Sequence, residues 1–210
     1  MENNEPSVVL YFRNKIEPMV CTEREYRGLC GLYDCRSNQR RKKYNKCRLD
    51  DYLHRLDGPA KEWSNGLFEW FKDGKLHRID GPAQKLKDGS LHWMKNGKLH
   101  RLDGPALIIP DGTKVWFKHG KMHRKDGPAA ENPHGFKIWS INGKKHREDG
   151  PAFEHPDGFN KWYIDNQQIK LLPKKILLKY MKANNYQLIH LLTDPDPIVR
   201  ESAMKYKLSK

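Results

Sequence analysis

No stretch of this chain approaches the roughly 18 uninterrupted apolar residues that a membrane-spanning helix requires. Residues 1–6 are polar and acidic, where a secretory leader would be basic and then apolar. These absences lead to the expectation of a soluble, intracellular, cytoplasmic protein without a membrane span. No phosphate-binding loop, dinucleotide fingerprint, nucleophile elbow or zinc-protease helix occurs. Apolar residues are scarce, at 37% against 31% charged, and mean hydropathy is −0.93. That excludes one thick core, and the composition would border on disorder but for six Trp, nine Tyr and seven Phe. Cysteine is also sparse: Cys21, Cys30, Cys35 and Cys47 have 8, 4 and 11 residues between them. Structural zinc sites normally carry paired short knuckles, which these spacings do not supply. The four cysteines read as reduced thiols, a zinc site on them is the less favoured alternative, and no cofactor is expected.

What the sequence has instead is a period. The string Leu53-His54-Arg55-Leu56-Asp57-Gly58-Pro59-Ala60 returns at 76–83, 99–106, 122–129 and 145–152, displaced each time by 23 residues. His54, His77, His100, His123 and His146 keep that register, as do Asp57, Asp80, Asp103, Asp126 and Asp149, and Trp70, Trp93, Trp116, Trp139 and Trp162. Of the 16 glycines, 14 fall into three ladders with the same period, which makes a tandem array the only economical reading. Asp88-Gly89 and Asp111-Gly112 mark one turn per unit, and Asn96-Gly97 and Asn142-Gly143 a second; both dipeptides supply the positive φ of tight hairpins. In the third unit the spacing predicts strands over 106–109, 113–118 and 121–124, with Trp116, Phe117 and Ile109 as core. The product expected is an antiparallel meander repeated along an axis, each unit burying its Trp against its neighbours. Both ends read as degenerate half-units: Cys47 falls on the Trp position, and Ile169 on the His position.

A unit carrying Trp-x-x-Asn-Gly-Lys-x-His, then Gly, then Asp-Gly and back to Trp resembles a MORN-type repeat. The divergent His-Arg-x-Asp-Gly-Pro-Ala form is similar to repeat proteins abundant in large DNA viruses and some phages. It departs from the usual MORN pattern after the His, where Arg follows and the Gly comes four residues on, as from His100 to Gly104. The resemblance covers residues 47–170. It implies an elongated antiparallel β-sheet array of five full units plus degenerate caps, used for protein contacts rather than catalysis. It also implies a virus-encoded component of a larger assembly, in the cytoplasm or within a virion.

Three segments are therefore expected: a cysteine-containing and basic segment (1–46), the mainly β repeats (47–170), and a helical cap (171–210). In the first, residues 8–12 read as a strand and 23–29 as a helical turn. In the last, apolar residues at helical spacing predict helices over 173–183, 186–192 and from Asp196-Pro197 onward. The stretch 191–200 resembles part of a HEAT-like repeat, but a plain cap shielding the last sheet edge is the simpler reading.

Five His in register invite a catalytic or metal reading. Equivalent His on successive units stand too far apart for one ion, since adjacent strands alone are about 4.8 Å apart, and five identical catalytic centres would be redundant. Asp103 and its equivalents are expected to bond turn amides, Gly104 to supply backbone freedom, and the His to pack over the Trp and hold a turn carbonyl. The net charge of +14 is spread along the chain. Its one concentrated run, Arg36, Arg40, Arg41, Lys42, Lys43, Lys46 and Arg48, is the candidate polyanion contact. Two basic rows, Lys75/Lys98/Lys121/Lys144 and Arg55/Arg78/Arg101/Arg124/Arg147, accompany it. The position after the Arg varies from Leu56, Ile79 and Leu102 to Lys125 and Glu148, so one end of that face is a candidate apolar contact. The expectation is a non-catalytic scaffold binding other proteins; the alternative is a nucleic-acid or other polyanion-binding protein.

Overall fold

The computed structural model describes residues 6–13, 15, 17–22, 24–26, 52–185 and 187–208. The fold is mainly β, made of very short antiparallel strands, with three short helices at the C-terminal end. The chain divides into two compact units, Met1–Pro110 and Asp111–Lys210.

In the first unit, seven strands form one antiparallel ladder in the order Leu107–Ile108, Leu91–His92, Gln84–Lys85, Phe68–Glu69, Lys61–Trp63, Ser7–Leu10 and Met19–Thr22. The strand expected over 8–12 is thus Ser7–Leu10, and it joins the repeats through Lys61–Trp63. Two hairpins stand outside this ladder, Phe71–Lys72 with Lys75–Leu76 and Met94–Lys95 with Lys98–Leu99. The second unit repeats the plan with Phe153–Glu154, Lys137–Ile138, Ala130–Glu131 and Lys114–Val115 in one ladder and three separate hairpins.

Each repeat is therefore not a single meander. The strand expected over 113–118 breaks at Trp116 into Lys114–Val115, which belongs to the ladder, and Phe117–Lys118, which belongs to a hairpin. The Trp116 amide donates to the Ala129 carbonyl (2.8 Å), and its carbonyl receives the His123 amide (3.0 Å), so this residue turns the corner between two sheets. The hairpin closes on two residues with positive φ, as at Asn96 (53°) and Gly97 (76°), the geometry a right-twisted two-residue hairpin needs.

The core differs from the expected one. Trp116, Phe117 and Ile109 are half-buried, whereas Ala60, Ala83, Ala106, Ala129 and Ala152 are each 0% exposed. An alanine-lined ladder needs little apolar mass, which is how so polar a composition closes a fold. Larger side chains concentrate in two places. Val8, Leu10, Cys21, Leu53 and Phe71 form a cluster in the first unit, where the buried Lys61 ammonium meets the Tyr26 hydroxyl (2.6 Å) and Glu69 (2.9 Å). Residues 24–26 are helical; the rest of the helical turn expected over 23–29 lies outside the described residues.

In the second unit, helices α1 (Lys174–Ala183), α2 (Leu188–Leu192) and α3 (Pro197–Leu208) gather around Trp162, buried with Leu172, Ile176, Leu177, Leu191 and Val199. Asp196 receives the Ile198 amide (2.9 Å) at the start of α3 and the Trp162 indole N–H (2.8 Å) on its other oxygen. One carboxylate thereby caps a helix and fixes the last Trp of the ladder. Among the described residues no helix is long and apolar enough to cross a membrane.

Because Ala106 has no free surface, Ala106→Leu forces extra volume into the ladder and should cost about 1–3 kcal/mol. Leu102→Ala removes an exposed side chain four residues away and should change stability by less than about 0.5 kcal/mol. Urea unfolding of the two variants checks the contrast.

Candidate functional site

The loop bearing His-Arg-x-Asp-Gly-Pro is the most regular surface of the chain. Its arginines lie face-on over aromatic rings: Arg78 over Trp70 (4.1 Å to the ring centroid), Arg101 over Trp93 (4.4 Å), Arg124 over Trp116 (4.0 Å) and Arg147 over Trp139 (3.8 Å). Arg55 takes Tyr11, at 3.9 Å, where no Trp precedes it. The Nε of Arg78 donates to Asp80 and that of Arg101 to Asp103, both at 2.9 Å, while Arg78 Nη1 reaches the Pro82 carbonyl (3.4 Å). The Arg55–Asp57 (3.1 Å), Arg124–Asp126 (3.5 Å) and Arg147–Asp149 (2.8 Å) pairs complete the row.

Two expectations are corrected here. The side chain over the Trp is the Arg rather than the His, because a planar guanidinium both stacks on an indole and forks to the Asp and the Pro carbonyl. The Asp of this loop receives the Arg Nε in addition to its own backbone amide. At the other turn the carboxylate receives an amide two residues on, Ser90 N–H at Asp88 (2.9 Å) and Thr113 N–H at Asp111 (2.7 Å). The loop glycine is required for a close approach rather than for an unusual φ. A Cβ on Gly104 would stand 2.9 Å from the Arg101 guanidinium carbon, and one on Gly81 2.7 Å from that of Arg78.

Within each unit the His reaches the next hairpin through Nδ1, which takes a backbone amide. The Asn96 backbone N–H donates to His77 Nδ1 (3.3 Å), and the Asn96 side-chain carbonyl oxygen lies 2.8 Å from the same nitrogen, at the tip of the next hairpin. His54 takes the Asp73 amide (3.1 Å), His123 the Asn142 amide (3.0 Å) and His146 the Asp165 amide (3.3 Å). The neighbouring backbone adds Gly97 N–H to the Leu76 carbonyl (2.8 Å) and Arg78 N–H to the Met94 carbonyl (3.0 Å), so this hairpin docks on the preceding loop of its unit. The His100 amide donates to the Trp93 carbonyl (2.9 Å), as its equivalents do to theirs.

Outside these satisfied positions lie the loop tips. Leu56, Ile79 and Leu102 are 68%, 83% and 76% exposed, a row of aliphatic side chains within the first unit. In the second unit the equivalent Lys125 is exposed, while Glu148 forms an ion pair with Lys179 of α1. Between neighbouring tips runs a cleft. In the first unit it holds about 270 Å³, with Trp70 and Lys72 between the Leu56 and Ile79 tips. Three repeats on, the corresponding residues bound about 660 Å³, with Ile141 in place of Lys72 and Lys125 and Glu148 in place of the aliphatic tips.

Of the four cysteines, Cys21 is buried in the apolar cluster of the first unit; Cys30, Cys35 and Cys47 lie outside the described residues, as does the basic run Arg36, Arg40, Arg41, Lys42, Lys43, Lys46 and Arg48. Among the described residues no three His, Cys, Asp or Glu side chains converge as metal ligands would. The Arg clasp and the alanine ladder were missed in the sequence. Their signal was present: five Arg, each three residues before a Gly, and five Ala in unbroken register. Comparison with protein-family models, curated proteins and solved structures finds no significant match.

If the Arg accounts for the Gly, Gly104→Ala should cost about 1–2 kcal/mol by lifting the guanidinium off Trp93, and this cost should fall nearly to zero in an Arg101→Ala background. A double-mutant cycle by urea unfolding measures that coupling. The Arg78 and Arg101 side chains also hold the carboxyls of Asp80 and Asp103 below the ordinary Asp value. Their contribution is complete above the unfolded Asp pKa of about 3.9 and is lost as pH falls through the depressed folded values. Tm followed against pH should show an acid limb that flattens in Asp80→Asn/Asp103→Asn.

Proposed function

We propose that this chain is a non-catalytic repeat scaffold of divergent MORN-like type, virus-encoded and working within a larger assembly, that holds a partner protein on its loop tips. The observation that carries this reading is the division of labour within the repeat. His, Arg, Asp, Trp and Ala, constant in all five copies of their ladders, are engaged in the fold itself, whereas the loop position that changes character from Leu to Glu is exposed at Leu56, Ile79, Leu102 and Lys125. Stacking and ion pairing give these side chains the same structural task in every copy, which supports a scaffold. A row of exposed aliphatic side chains, by contrast, is a surface that association would cover.

Among the described residues the tip position is engaged at Glu148, where Lys179 of α1 pairs with it. That contact is an internal example of docking on a loop tip. The test is cross-linking in the native source, comparing the wild type with Leu56→Ser/Ile79→Ser/Leu102→Ser. The triple variant should keep its Tm within a few degrees, because exposed positions contribute little to stability, and should lose the cross-linked partner. Retention of the same partner would move the contact elsewhere and contradict the reading.

A further inference from the structure

The hairpins carry a second pattern that folding does not explain. In Phe71–Lys72/Lys75–Leu76 the register sets Lys72 directly opposite Lys75, and in Met94–Lys95/Lys98–Leu99 it sets Lys95 opposite Lys98. The second unit repeats this with Lys118 opposite Lys121. Like charges facing each other across two strands destabilise a hairpin, and nothing in the turn geometry requires lysine at either place. All six side chains are exposed, and none of them pairs with a carboxylate among the described residues. In the first unit the pairs also adjoin one another, since the Lys75 Cβ lies 4.0 Å from where a Cβ on Gly97 would stand.

One of these lysines borders the aliphatic tips. Lys72 lines the cleft between Leu56 and Ile79, over Trp70. At about 270 Å³ that cleft lies below the roughly 300–1,000 Å³ typical of small-molecule sites and suits a single anchoring side chain. We propose that this face of the first unit, Lys72, Lys75, Lys95 and Lys98 beside Leu56 and Ile79, binds an acidic segment of a partner protein that also carries apolar side chains. Carboxylates would lie along the lysine pairs and one apolar side chain would enter the cleft. The proposal rests on the scaffold reading and names the chemistry of its partner.

Charge complementarity alone would also admit a nucleic acid. The other features of the face favour protein: the loop arginines are committed to Trp and Asp, the Trp rings are covered by those arginines, and the tips are aliphatic. A single strand of nucleic acid is held by stacking platforms as well as cations, and it would leave Leu56 and Ile79 uncovered.

The experiment is fluorescence anisotropy with the full chain at near-physiological salt. The probes are a labelled short peptide alternating Glu and Leu, an all-Glu peptide of equal length, and an oligothymidine of equal charge. The Glu-Leu peptide should bind most tightly. Lys72→Glu/Lys95→Glu should weaken it by about tenfold or more while raising Tm, because each substitution sets opposite charges across a hairpin. Lys174→Glu/Lys175→Glu, the same charge change on α1, should weaken it less than about twofold. Ile79→Ser should weaken the Glu-Leu peptide several-fold and leave the all-Glu peptide unchanged. Equal losses from the two double variants would reduce the effect to net charge and overturn the site. Tighter binding of the oligothymidine, lost with Lys72 and Lys95, would overturn both this proposal and the protein-scaffold reading. Failure of the wild type to bind either peptide would overturn the proposal alone, since the scaffold reading stands on the tip variants.

Discussion

Each repeat arginine is held on several sides at once: by an aromatic face below, an Asp beside it, a Pro carbonyl and the bare backbone of a Gly. No other side chain satisfies all of these. Lysine lacks the plane, histidine the reach and the fork. Each stack supplies on the order of 1 kcal/mol, and its value comes from repetition at a fixed interval. The stack also explains why Trp70, Trp93, Trp116 and Trp139 are only half-buried. One face of each ring is covered by a cation rather than by another apolar side chain, so aromatic mass serves the fold without demanding a thick core.

From this clasp the remaining constants follow. The Gly is small because the guanidinium lies against it, and the Asp is acidic because Nε points at it. The adjacent His is free to reach forward and take an amide of the next hairpin, joining nearest neighbours in the manner of repeat arrays. The alanines fill the ladder beneath, where any larger residue would separate strands only a few residues long. With these positions spent on the fold, the surface that differs from copy to copy is the loop tip and the outer hairpin. The first unit places aliphatic tips and paired lysines there, and the second places charged tips, one of them engaged by α1.

The period, the antiparallel β class, the Asn-Gly hairpin turns and the three helices were legible in the sequence, because Asn-Gly and helical spacing are local signals; the Asp-Gly turn proved to be a longer loop in which only the Gly takes positive φ. Interactions that depend on three-dimensional direction were not. A strand with Trp116 at its centre reads as continuous, since the pattern of alternation does not show that hydrogen bonding changes partners at that residue. His and Arg are adjacent, and spacing alone cannot say which of two neighbours turns toward the Trp eight residues earlier. Asp103 and Asp111 both stand before a glycine, yet one faces a guanidinium and the other an amide, a choice made by the Arg two residues before the first. The cross-strand lysine pairs became visible only once the hairpin register was known.

The central claim is that the repeated loop is a structural clasp. Its most direct measurement is a nitrogen-15 correlation spectrum of the arginine Nε–H groups near neutral pH. The account predicts that the Nε–H protons of Arg55, Arg78, Arg101, Arg124 and Arg147 are shifted upfield by the rings beneath them and exchange slowly with solvent, forming a group apart from other arginines. Random-coil shifts and fast exchange for these five would contradict it, and would leave the loop exposed and free to act.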